Sequence, residues 1–154
     1  RRLPFARAAS GIVPPSMHFD LVDHVVEIGA GRIVTLKQVS AAEEYLLDHF
    51  PSFPVLPGVL MLEAMVQAAR RLLAPTIPGA DRFVLGVARN IKYGSFVRPG
   101  DTLRVEVSVS EPVAPDETGA VECRGQCMVL RPGEPPEDAR VSISGRFSVR
   151  PARP

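Results

Sequence analysis

Leu103, Val105, Val107 and Val109 are apolar while Arg104, Glu106 and Ser108 between them are polar. Val141, Ile143, Phe147 and Val149 alternate likewise with Ser142, Ser144, Arg146 and Ser148. A period of two predicts strands with one face buried. Residues 121–130 and 82–93 predict two more strands, with turns at Pro99-Gly100-Asp101 and Arg131-Pro132-Gly133. Earlier, the β-branched runs 19–28 and 32–39 flank Gly29-Ala30-Gly31, the composition of a hairpin. Good helix formers follow Ser40 through residue 47, and Glu43 three residues on predicts a short helix opened by a capping box.

The pattern changes in the middle of the chain. Pro51, Pro54 and Pro57 forbid regular structure after His49, whereas residues 59–73 hold neither Pro nor Gly and predict one long helix. Within residues 59–69 only Glu63 and Gln67 are polar, so this helix needs cover on most of its circumference. Two strands, a buried helix and four strands imply an α+β domain: an antiparallel sheet of about six strands wrapped around one long central helix. Residues 1–16 show no period and read as a disordered or loosely packed N-terminal extension, leaving a domain at 17–150 and a tail at 151–154.

Composition narrows the function classes. Apolar residues at 45% and charged residues at 23% are ordinary globular usage. With 18 basic against 17 acidic residues, the overall field gives no reason to expect nucleic-acid binding. The apolar run at 59–69 falls short of the roughly 18 to 20 residues a membrane span needs. Cys123 and Cys127, four apart on a strand, would hold their Cα atoms ~13 Å apart, too far for a disulfide. They read as free thiols of a reducing, cytoplasmic compartment, and no ligand set for a metal accompanies them.

Candidate chemistry concentrates in residues 49–67, HFPSFPVLPGVLMLEAMVQ. Glu63 and Gln67, four apart, share one face of the helix. Burial disfavours a charged carboxylate and makes Glu63 a candidate proton donor; the alternative is a Glu at the helix edge, solvated or paired with Arg70 or Arg71. Gly58 opens the helix, where backbone N–H groups point outward and no side chain blocks a ligand carbonyl. His49, on the preceding loop, is a candidate base. His18 and His24 have no partner at a chemical spacing and read as structural or surface residues.

This stretch closely resembles the signature of the beta-hydroxyacyl-acyl-carrier-protein dehydratases, similar to HFPGxPxxPGVLxxEAMAQ, including the His-to-Glu spacing. Weaker resemblance runs from FDLVDHVVEIGAGRIVTLKQVS through VRPGDTLRVEV to the last strand. The resemblance implies a hot-dog fold paired into a homodimer, with His49 of one subunit facing Glu63 of the other. It implies that His49 removes a C2 proton from a 3-hydroxyacyl thioester on acyl carrier protein while Glu63 protonates the leaving hydroxyl. Gly58 N–H would polarise the thioester carbonyl, Gln67 would orient Glu63, and Phe50 and Val59 would contact substrate; no cofactor or metal is implied.

Two departures bear on activity. Asp48 and Ser52 stand where the family usually has glycines, positions that would suit positive φ, and Asp48 brings a carboxylate that would favour protonated His49. Arg70, Arg71, Arg89, Lys92 and Arg98 either form a basic collar for an acidic carrier protein or are a solvated face. Three functions stay open: dehydratase, hot-dog thioesterase, and a non-catalytic acyl-carrier-binding subunit.

Overall fold

Val25, Ile28, Ile33 and Val34 sit on a hairpin of β1 (His24–Gly29) and β2 (Arg32–Gln38), joined by Ala30 and Gly31, both at positive φ (44° and 69°). Positive φ at both central positions matches the right-handed twist of the flanking strands. The computed structural model describes residues 19–152. The expected extension at 1–16 and His18 lie outside the described residues. β1 begins at His24, five residues later than the pattern predicts, because Phe19 and Leu21 spend backbone groups elsewhere. The Leu21 N–H donates to Gln67 Oε1 at 2.8 Å, and the Phe19 carbonyl accepts from Gln67 Nε2 at 3.1 Å.

The expected capped helix at residues 41–47 is a single 3-10 turn, Glu44–Leu46, with no side-chain cap. Glu43 has a stronger partner than the backbone: it accepts from Lys37 Nζ at 2.9 Å. Lys37 is 7% exposed, and Asp23 is its second partner at 3.4 Å. Burial alone would lower the Lys37 ammonium, but the Glu43 hydrogen bond and the field of Asp23 hold it above its ordinary value. This cluster ties the segment leading to His49 onto β2.

The remaining strands are β3 (Val84–Tyr93), β4 (Thr102–Val109), β5 (Val121–Leu130) and β6 (Arg140–Arg150). All pairs are antiparallel, in one sheet of order β1-β2-β4-β5-β6-β3. Alternation decides the faces: Leu103, Val105, Val107, Cys123, Cys127 and Ile143 are buried inward, while Arg104, Glu106, Arg124 and Gln126 point outward.

The helix α1 (Gly58–Leu73) lies against the inner face, contributing Met61, Ala64, Met65, Ala68 and Leu72 to the core. Gly125 lets it approach, since a Cβ there would collide with Met65 Sδ. The cover is incomplete, correcting the expectation of an enclosed rod. Val59 is 68% exposed, and Leu62 and Glu63 remain half-buried on the same side. A stripe of α1 therefore faces away from the sheet.

Candidate active site

His49 follows the 3-10 turn on a loop whose far end is pinned by Leu56 N–H donating to the Val97 carbonyl at 2.8 Å. Its ring is half-buried, with Nδ1 3.0 Å from the Val55 carbonyl oxygen. A carbonyl only accepts, so Nδ1 carries the proton, and the neutral ring keeps its lone pair on Nε2. That is the state a general base needs. The Phe50 ring leans on the imidazole at an interplanar angle of 49°, with ring centroids 4.5 Å apart.

The two departures from the family signature fall away from this geometry. Positive φ in the loop belongs to Phe50 (φ 60°), not to Asp48 or Ser52, so neither replacement strains the backbone. Asp48 is exposed and makes no hydrogen bond or ion pair with His49 among the described residues; the ring is engaged by Val55 instead.

Beside His49 lies a largely apolar cavity of about 240 Å³, walled by Phe50, Gly58, Met61, Tyr93 and Phe96. Gly58 is the first residue of α1, so its N–H has no intrahelical acceptor and points out of the helix end. The absence of a side chain at 58 is required by Tyr93, whose Cε1 would lie 2.5 Å from an added Cβ. Gly58→Ala is expected to push the Tyr93 ring off the helix end and lower kcat/KM by about tenfold or more. Adding Tyr93→Ala to Gly58→Ala should recover most of that loss. Wild-type kinetics in the single variant would refute this account of the helix end.

Glu63 lies elsewhere. Met61, on the cavity wall, and Glu63 are about 200° apart around the helix axis, so the carboxylate points away from the cavity that holds His49 of the same chain. Its side chain is 33% exposed in the single chain, not shut inside apolar surroundings, which corrects the burial expected for it. The pairing with Gln67 is present: Gln67 Nε2 donates to Glu63 Oε1 at 3.1 Å. Gln67 is itself fixed by Leu21 and Phe19, so it sets where the carboxylate stands. Arg70 Nη1 lies 3.5 Å from the same oxygen, and its Nε donates to the Phe83 carbonyl.

The five basic residues expected as a collar occupy separate surroundings. Arg70 serves Glu63 and Phe83, Arg71 pairs with Asp20 at 2.9 Å, and Arg98 lies over the Phe53 ring, 4.3 Å from its centroid. Phe53 in turn meets Phe96 edge-on at 5.6 Å, building an aromatic rim beside the cavity. Arg89 and Lys92 lie on β3. His24 is exposed at the start of β1. Cys123 and Cys127 are free and buried, and burial pushes the Cys123 thiol up to about 12, so neither suits nucleophilic chemistry. The parts played by Tyr93, Phe53 and the Val55 carbonyl have no signal in the local sequence pattern, because each depends on how the loop and β3 fold back on the helix end.

Residues 13–129 match the FabA-like domain. The chain belongs to the FabA-like family. Among curated FabA-like relatives, the 3-hydroxyacyl-[acyl-carrier-protein] dehydratase FabZ of Clostridium perfringens is 34% identical over 127 residues, covering 76% of this chain and 91% of the relative. The FabZ of Solibacter usitatus is 43% identical over 100 residues, covering 64% of this chain and 62% of that protein. The chain thus spans somewhat under two thirds of the Solibacter relative. The fold matches the dehydratase heterocomplex ApeI:P of Xenorhabdus doucetiae (TM-score 0.58, 18% identity, 84% of this chain, 96% of that one). It also matches a thioesterase superfamily member of Thermus thermophilus (TM-score 0.56, 18% identity, 81% and 84%). These are hot-dog folds, and this FabA-like chain shares their single sheet and helix. No helix among the described residues is long and apolar enough to cross a membrane.

Proposed function

We propose that the chain is a 3-hydroxyacyl-[acyl-carrier-protein] dehydratase of fatty-acid or related lipid synthesis, acting in the cytoplasm as a homodimer in which residues 17–150 form the catalytic unit. The observation that carries this reading is an imidazole whose Nδ1 is committed to Val55, which leaves Nε2 for proton transfer beside an apolar cavity and a helix-end N–H that has no intrahelical acceptor. FabZ relatives that share the family supply the reaction class.

In this mechanism the acyl chain lies in the cavity and its thioester carbonyl accepts from Gly58 N–H, which acidifies C2. His49 Nε2 takes the C2 proton, the electrons form the C2–C3 double bond, and the C3–O bond breaks. Glu63 of the partner protonates the departing hydroxyl, so that water leaves and a trans-2-enoyl thioester remains. The partner subunit covers Glu63 and removes it from water, and Gln67 holds its orientation. Phe50 and Val59 contact the acyl chain.

The test is turnover of 3-hydroxyacyl carrier thioesters of several lengths, following enoyl absorbance and free thiol together. Enoyl absorbance without thiol release is expected. Thiol release without enoyl product would replace this reading with a thioesterase, and saturable binding without either would leave a carrier-binding subunit.

A further inference from the structure

The outer face of the sheet, opposite α1, carries a second concavity of about 380 Å³ that the dehydration chemistry does not use. Its floor is two parallel rows of side chains in register. One row of the lining runs Ser108, Arg124 and Arg146 across β4, β5 and β6, with Arg89 of β3 next in register but outside the lining; the other runs Glu106, Gln126, Ser144 and Lys92. Three guanidinium groups thus stand on neighbouring strands, spanning ~10 Å. Like charges directly opposite one another destabilise a sheet, so such a row calls for a counter-charge.

The described residues supply none. Arg89, Lys92, Arg124 and Arg146 make no ion pair and no side-chain hydrogen bond among the described residues. The one acid at the site, Glu106, is already engaged by Arg32 at 2.9 Å and Arg104 at 3.1 Å. Neutral donors on Asn90, Gln126 and Ser144 complete the lining.

We propose that this face binds an anion of linked phosphates, such as the triphosphate or diphosphate chain of a nucleotide. Guanidinium groups present paired N–H donors that match phosphate oxygens, and Arg124 and Arg146 with the Lys92 ammonium beside them match a chain of phosphates better than one isolated phosphate. The concave floor and the hydroxyl and amide donors suit a small polyanion rather than a flat acidic surface. The site lies across the sheet from His49, so occupancy leaves the dehydration cavity open.

Calorimetric titration of the intact protein with inorganic triphosphate tests this at physiological ionic strength. Saturable binding is expected, weakened by about tenfold in Arg146→Gln and in Arg124→Gln and little changed in Arg131→Gln, which removes a charge at a remote turn. Dehydratase turnover should be the same in all three. Because the row is repulsive when empty, unliganded Arg146→Gln should melt at or above the wild-type temperature, and a fixed triphosphate concentration should raise Tm of the wild type and of Arg131→Gln more than that of Arg146→Gln. Absence of saturable binding, equal weakening by all three variants, or equal affinity for inorganic phosphate would overturn the proposal. Tight binding of polyglutamate that triphosphate does not displace would overturn it in favour of an acidic protein partner.

Discussion

His49→Ala is expected to lower kcat/KM for a 3-hydroxyacyl thioester by about a thousandfold, because the variant has no group within the cavity to take the C2 proton. Loss of folding would not be the cause. The ring is half-buried, its hydrogen bond goes to a loop carbonyl, and it is not a member of the apolar core. His49→Asn separates the two functions of the imidazole. A side-chain amide can donate to Val55 and hold the loop but offers no basic nitrogen, so it should fold as the wild type does and remain inactive. Substantial turnover in His49→Asn would mean that another group is the base, and the mechanism built on Nε2 would fail.

The sheet was legible because period two survives in β4, β5 and β6 almost without interruption, and α1 because no Pro or Gly lies between Gly58 and Ala74. What escaped was non-local. Residues 19–23 have the apolar content of a strand, but Gln67, nearly fifty positions away, satisfies Leu21 and Phe19, and no local pattern reveals that. Ser40 and Glu43 have capping-box spacing, yet Lys37 offers the carboxylate a charged partner. At the candidate site, residue type and spacing single out His49, Gly58, Glu63 and Gln67 as candidates. The tautomer of His49 was not legible, since it depends on the path of a proline-broken loop, nor was Tyr93, brought against Gly58 by the β3 end of the sheet. The signature also gave the wrong weight to Asp48 and Ser52, because the positive φ falls on Phe50.

The placement of Glu63 carries the strongest test of the proposed assembly. His49 looks into a cavity walled by Met61, whereas Glu63 stands about 200° from Met61 on the same helix, on the stripe the sheet leaves uncovered. One chain therefore does not bring its own base and acid together, and a second copy set against this stripe would complete two sites, each taking His49 from one subunit and Glu63 from the other. Glu63→Gln keeps size and hydrogen bonding but removes the acid, so alone it should be inactive, as His49→Ala alone should be. Refolding the two inactive variants together gives mixed dimers in which one site carries both defects and the other carries neither. With random pairing, the mixture should recover about a quarter of wild-type turnover. A site contained within one chain predicts no recovery at any ratio, since every chain then lacks either its base or its acid. A mixture that forms dimers by sedimentation yet stays inactive would thus rule out the shared site while leaving the role of His49 intact.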